Sequence, residues 1–295
     1  MALWGVAGQS VPTPRPPDTP QPTNLAQLKA DLHALIAASG AEVAVAWRPL
    51  DAKPGEEILI NPTLRFHAAS TMKVPVMIEL FRQADARRLR LDDKTLVTNE
   101  FTSIQDGSPF VLSATEDSDG ETYKALGKQL SYRQLVEASI TVSSNLATNI
   151  LIEQLGPRNV QATADIMGAT GMQVLRGVED QKAFDAGKNN MTDAMALLTL
   201  FEAIGKGRAV NPKASAEMLG ILRRQKINNR IPAGLPPGTV VAHKTGDVTG
   251  INHDAGIVYT ARPYVLVVLT RGIKDSTVSA KLIADITSLI ARATI

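Results

Sequence analysis

The chain has 295 residues, 44% hydrophobic and 20% charged, with a formal net charge of +2. That is ample material for a packed core and too little charge to argue for nucleic acid or an anionic membrane surface as a partner. There is no cysteine, which removes disulfides, zinc–thiolate sites and thiol nucleophiles together, and His33, His67, His243 and His253 never fall at the i, i+4 spacing of a helical metal site. No metal and no other cofactor is expected.

The opening Met1–Gly8 is apolar and ends in small residues. It reads either as the tail of a signal peptide or as a terminus without defined structure, and a secreted or periplasmic location is the expectation. A proline-rich spacer follows over 11–22. Asn24 then predicts a helix N-cap, with Leu25, Leu28, Leu32, Leu35 and Ile36 on one face and Gly40 as the stop. Alternating Val43, Val45 and Trp47 predict a half-buried strand, and 57–60 a second. From Ser70 to Gly207 the periodicity is mainly helical. Strand patterns return at 240–243, 255–260 and 264–270. A last helix carries Val278, Leu282, Ile286 and Leu289 behind an Asp275 cap.

Strands at both ends and helices between them predict an α/β (α+β) fold: one antiparallel sheet built from the two chain ends, flanked by helices, with an all-helical domain inserted. The expected division is 1–23 as leader remnant and linker, 24–66 with 208–295 as the sheet domain, and 67–207 as the helical domain. A cleft is expected where the two parts meet. No stretch after the spacer has the roughly 20 apolar residues needed to cross a bilayer.

Three short motifs carry chemistry. Ser70-Thr-Met-Lys73 is the only Ser-x-x-Lys of the chain. On a helix the two side chains share a face, so a partly desolvated lysine can take the serine proton or stabilise its loss. Ser143-Ser144-Asn145 opens another helical pattern. Its first hydroxyl can relay a proton to a leaving nitrogen, and its amide can hold a substrate carbonyl or the lysine. Lys244-Thr245-Gly246 ends a strand pattern, where lysine and threonine can bind a carboxylate and glycine lets a substrate lie against the edge. The N–H groups of Ser70 and Asp247 would form an oxyanion hole. Taken singly, each motif also reads as an ordinary helix cap or strand end.

The order of the three motifs, with Phe66–Val74, Ile140–Asn149 and Leu235–Gly246 around them, resembles the penicillin-recognising serine hydrolases, and within them the class A β-lactamases. The resemblance runs from about residue 24 to the C-terminus. It implies Ser70 as acylating nucleophile, Lys73 as its base, Ser143 as proton relay, Asn145 as substrate amide contact, and Lys244 with Thr245 as carboxylate site. Arg230, fourteen residues before Lys244, matches a supporting arginine of some relatives; otherwise it reads as a solvated surface arginine. The partner implied is a small β-lactam or peptidoglycan-like substrate, and a monomer is expected.

The deacylating water is where the pattern departs. Relatives hold it with a loop glutamate and an asparagine four residues on. Here Glu179 matches the glutamate, but Ala183 stands in the second place. Asn149 is a candidate contact on the lysine side, and Asn189 and Asn190 are candidates to compensate. The competing reading makes Glu179 and Asp180 ion-pair partners of Arg176. Ser144, where many relatives carry aspartate, is expected to affect packing. The acidic stretch 105–128 reads as a solvated loop or as a substrate-selecting rim with Phe110 as a wall. His243 and His253 read as structural. Three functions remain open: a β-lactamase, a D-alanyl-D-alanine peptidase or related esterase, and a sensor that acylates and stays trapped.

Overall fold

The computed structural model describes residue 1 and residues 24–294. The leader and proline-rich readings therefore lie outside the described residues. Helix α1 (Leu25–Ser39) begins where the Asn24 side chain accepts the Gln27 N–H and ends where Gly40 takes a φ of 67°. That left-handed conformation suits glycine because it has no Cβ to clash.

Five strands form the main sheet: β1 (Glu42–Pro49), β2 (Ile58–Ile60), β3 (Val240–Val248), β4 (Ile251–Tyr259) and β5 (Tyr264–Arg271). Their order is β2-β1-β5-β4-β3 and every pairing is antiparallel. Val45 faces Val268 across β1 and β5, so the two chain ends are stitched at the sheet centre. β3 is left as one of the two edge strands, with β2 at the other edge. The last helix, α8 (Ser276–Thr294), starts under Asp275, whose carboxylate accepts the Thr277 N–H at 2.8 Å.

One expectation is corrected here. β1 is buried on both faces, because Ala44 and Ala46 are as enclosed as Val43, Val45 and Trp47. The larger residues meet Leu32 of α1 and Ile283, Ile286 and Ile290 of α8. The alanines face the opposite core, with Leu197 and Phe201 of α6 (Ala194–Gly205). Small side chains there let a helix lie close to the sheet. Each fully buried Leu, Ile or Val in these layers contributes ~1.5–3 kcal/mol.

Between the sheet segments run α2 (Lys73–Asp85), α3 (Tyr132–Thr141), α4 (Asn145–Leu155), α5 (Pro157–Ile166) and α7 (Pro212–Arg223), with α6 before the last of these. α2 is the central one: every residue from Lys73 to Leu80 is buried. Its one buried carboxylate, Glu79, accepts from Arg82 Nε at 2.7 Å, Gln83 Nε2 at 2.7 Å and Thr163 Oγ1 at 2.5 Å. Satisfying both oxygens makes that burial tolerable and ties α2 to α5. Among the described residues no helix is long and apolar enough to cross a membrane.

Candidate active site

Ser70 sits in a 3-10 turn (Ala69–Met72) that runs straight into α2, so Ser70 and Lys73 lie one turn apart at the head of a buried helix. The turn is entered through Ala69 at a φ of 46°. A non-glycine residue there is strained, and the surroundings must hold it. His67 Nδ1 accepts the Ala69 N–H at 3.0 Å, and the Ala68 N–H donates to Asn190 O at 2.8 Å. Ser143 and Glu179 also have positive φ, both 61°. Strain is thus concentrated at three points around one cleft.

Lys73 is fully buried, and its Nζ donates to Ser143 O at 2.6 Å, Asn145 Oδ1 at 2.8 Å and Ser143 Oγ at 3.2 Å. Burial pulls its pKa down to about 7, although Asp117, Glu179 and Asp247 oppose the shift. Lys244, also fully buried, donates to the same Ser143 Oγ at 3.0 Å and to Thr245 O at 3.0 Å. Burial first and the Lys73 charge second hold Lys244 well below its ordinary value. Ser143 Oγ is therefore a junction between two amines that cannot both hold their charge easily.

The Asn145 side chain makes the second junction. Its Oδ1 accepts from Lys73, and its Nδ2 donates to Glu179 Oε1 at 2.6 Å. Burial raises the Glu179 pKa, and the Asp117 and Glu116 charges add to the rise against the Asn145 hydrogen bond. A carboxylate with a raised pKa beside an amine with a lowered one is the arrangement acid–base chemistry near neutrality requires.

Gly246 brings β3 against the nucleophile. A Cβ there would lie 3.2 Å from Ala69 Cβ and 3.3 Å from Ser70 N, so glycine allows an approach that any side chain would push back by a few tenths of an ångström. The Thr245 carbonyl is turned to Lys244, on the free edge of β3. Residues two apart share an edge, so the Asp247 N–H faces the same way, towards the Ser70 side. A cleft of about 470 Å³ opens here, lined by Ser70, Asn145, Glu179, Phe184 and Asp247 among others. That volume lies in the range of small-molecule sites.

Arg230 is buried, not solvated. Its Nη1 donates to His253 O at 2.7 Å and to Gly246 O at 3.2 Å, and its Nη2 pairs with Asp247 Oδ1. Two buried polar atoms in this corner, Thr245 Oγ1 and Arg230 Nε, have no hydrogen-bond partner among the described residues. His243 bonds Asp254 at 2.8 Å. His253 Nε2 bonds His67 O at 2.9 Å, and burial lowers the His253 pKa to about 4. Both histidines lie inside the fold. Ser144 is buried and caps α4 by accepting the Ala147 N–H at 3.2 Å.

The loop 176–190 differs from expectation in several places. Arg176 does not pair with Glu179: its guanidinium donates to Lys188 O, Gly177 O and Asn189 Oδ1. Asn190 accepts the Leu175 and Arg176 N–H groups and donates to Arg176 O. Asn189 and Asn190 therefore close the neck of the loop, and Asn190 also lines the Ser70 cleft. Asn149 is turned away from the lysine and grips Val178, accepting its N–H at 2.7 Å and donating to its carbonyl at 3.0 Å. Asp180, buried, accepts from Ser103 Oγ at 2.7 Å and the Ile104 N–H at 2.9 Å, fastening the loop to the 101–110 hairpin. Phe110 packs on Phe101 and lines a separate cavity behind the loop, not the Ser70 cleft.

Sequence reasoning missed Asp117. Asp106, Glu116 and Glu121 are exposed, as a solvated loop requires, but Asp117 Oδ2 accepts the Asn145 and Leu146 N–H groups at 2.9 and 3.0 Å. It caps α4 from 28 residues away, and no local pattern signals that contact. Asp117→Ala should cost about 1–2 kcal/mol, whereas Asp117→Asn keeps an acceptor and most of the stability. Thermal melts of the two variants check this: an alanine variant as stable as the wild type would show that the cap contributes nothing.

The beta-lactamase enzyme family model matches residues 27–294. The extended-spectrum beta-lactamase PER-1 of Pseudomonas aeruginosa is 26% identical over 86% of this chain and 82% of its own. A beta-lactamase of Streptomyces albus G is 26% identical over 88% and 82%. Among solved structures, a beta-lactamase from Sphaerobacter thermophilus superposes with a TM-score of 0.77 at 26% identity, covering 92% of this chain and 97% of that one. PBP-A does so with 0.77 at 25%, covering 93% and 98%.

Proposed function

Because the chain belongs to the beta-lactamase enzyme family, we propose that it is a serine β-lactamase of the class A kind, opening the lactam amide through an acyl-enzyme on Ser70. The observation that carries this reading is Asn145, whose one amide joins Lys73 to Glu179 beside the cleft that Ser70 lines. Lys73 takes the Ser70 proton as Oγ attacks the lactam carbonyl. The Ser70 and Asp247 N–H groups receive the oxyanion. Ser143, fed by Lys73 and Lys244, passes a proton to the leaving nitrogen as the C–N bond breaks. Glu179 then takes a proton from water as that water attacks the ester. The bond from the acyl carbon to Ser70 Oγ breaks as Glu179 gives that proton up to the leaving oxygen, and the Ser70 hydroxyl is restored. Thr245 and Lys244 receive the substrate carboxylate, and the unpartnered Thr245 hydroxyl supports that assignment. The proposed setting is a secreted or periplasmic monomer.

The pH dependence of acylation follows from Lys73. A base works only unprotonated, so its rate should rise with pH up to about 7 and flatten above. Stopped-flow acylation in a Glu179→Gln background isolates that limb. A flat profile from pH 5 to 8 would rule out Lys73 as the base.

One observation favours a second reading, a D-alanyl-D-alanine peptidase or esterase that acylates but releases β-lactams slowly. Ala183 is buried and brings no polar atom to a water beside Glu179. A mutant of PBP-A is described as an acyl-enzyme complex with penicillin G. Following ring opening by absorbance on mixing with a penicillin separates the two. Many equivalents opened per enzyme support the β-lactamase; one equivalent followed by arrest supports the peptidase.

A further inference from the structure

The Arg230–Asp247 pair is not accounted for by the proposed chemistry. Arg230 lies beneath β3 with its side chain 4% exposed, while the Asp247 side chain is 50% exposed and lines the cleft. The carboxylate therefore stands between the guanidinium and the solvent from which a substrate arrives. Arg230 Nη1 is committed to two backbone carbonyls, so Nη2 is the nitrogen turned towards the cleft, and Asp247 holds it.

Thr245 and Asp247 are two residues apart on β3 and present their side chains on one face. Between them Gly246 lies against Ala69, Thr71 and Ser70. The corner that would receive a substrate carboxylate thus already has one at its edge. The charged groups around it are the cations Lys244, Lys73 and Arg230 and the carboxylates Asp247, Glu179, Asp117 and Asp254.

We propose that the Asp247 carboxylate tunes specificity by holding Arg230 at the edge of the anion-binding corner, so that Thr245 and Lys244 receive a substrate carboxylate without the arginine and the cleft's preference for acyl substrates with a free carboxylate beside the scissile bond is weakened. This rests on the reading of Ser70 as the acylated residue. A carboxylate-bearing substrate must displace Asp247 from Arg230 or sit beside it, and like charges brought together disfavour binding. A neutral ester or amide at the same place leaves the ion pair intact. The backbone N–H of Asp247 serves the oxyanion in either case, so the side chain acts on selection and not on the bond-breaking step.

Benzylpenicillin and its methyl ester differ only in this charge, which makes them the probes. The rate constant for Ser70 adduct formation would be measured for both, by quenched mixing and intact mass, in the wild type and in Asp247→Asn. The asparagine keeps an acceptor for Arg230 and removes the charge; Asp247→Ser serves if that variant does not fold. Removal of the charge should shift the acid-to-ester ratio towards the acid by about tenfold or more. A ratio unchanged within about twofold, with adducts forming, overturns the role of Asp247 alone. No adduct from either compound in either protein overturns the Ser70 reading with it.

Discussion

Ser70→Ala should abolish covalent labelling by penicillin and lower kcat/KM for lactam opening by on the order of 10⁴-fold or more, the scale seen when a nucleophile is removed from other serine hydrolases. The remaining groups do not substitute for it. Lys73 is spoken for by Ser143 and Asn145, and Glu179 by Asn145. The fold should be indifferent to the change. Ser70 is only partly buried, and the strained residue beside it, Ala69, is untouched. Melting curves of variant and wild type should coincide within about 0.5 kcal/mol. Retained turnover in a fully folded Ser70→Ala protein would remove the nucleophile assignment.

The second large effect is expected at Glu179. Glu179→Gln keeps an oxygen that can accept from Asn145 Nδ2, so the Lys73–Asn145 junction should survive and labelling should proceed. Release of the acyl group should slow by about 10²–10⁴-fold, the usual contribution of a positioned base. The variant should accumulate as a long-lived adduct in intact-mass spectra, and rapid loss of that adduct would sink the assignment. The raised pKa makes a further prediction about stability. Folding favours the protonated form, so the native state binds more protons than the unfolded chain between the ordinary carboxylate pKa and the raised one. Stability at this residue therefore falls as pH rises through that window. The glutamine variant removes the buried charge and should melt at a higher temperature than wild type above it. The active carboxylate is held at some expense to the fold.

Much of this was legible because its signals are local. Asn24 and Gly40 announce the ends of α1, and Asp275 the start of α8, through side-chain or glycine chemistry within a few residues. Ser70 with Lys73 is readable because a helix turn sets their spacing, and Ser143 with Asn145 because they flank the Ser144 cap that opens α4. The antiparallel sheet from both termini followed from where the β-type stretches lie. β1 was misread because alternation distinguishes its two faces but not what covers each, and alanine on the second face is compatible with either water or a helix.

The loop behind Glu179 was the least legible part. Its closure by Arg176, Asn189 and Asn190, its grip by Asn149 and its fastening through Asp180 all depend on partners 12 to 77 residues away or on backbone atoms. Asp117 is the same case. A carboxylate that caps a helix 28 residues on looks, in sequence, like one more charge in an acidic loop. Arg230 was ambiguous for a related reason: an isolated arginine reveals nothing of its burial until β3 and β4 close over it.

The most direct test of the account is the location of the acyl group. Wild-type protein mixed with excess benzylpenicillin, quenched in acid within milliseconds and digested, should carry a penicilloyl adduct on the peptide containing Ser70 and on no other. Ring opening that continues while no quenched sample carries an adduct on that peptide, or an adduct that maps elsewhere, would contradict it.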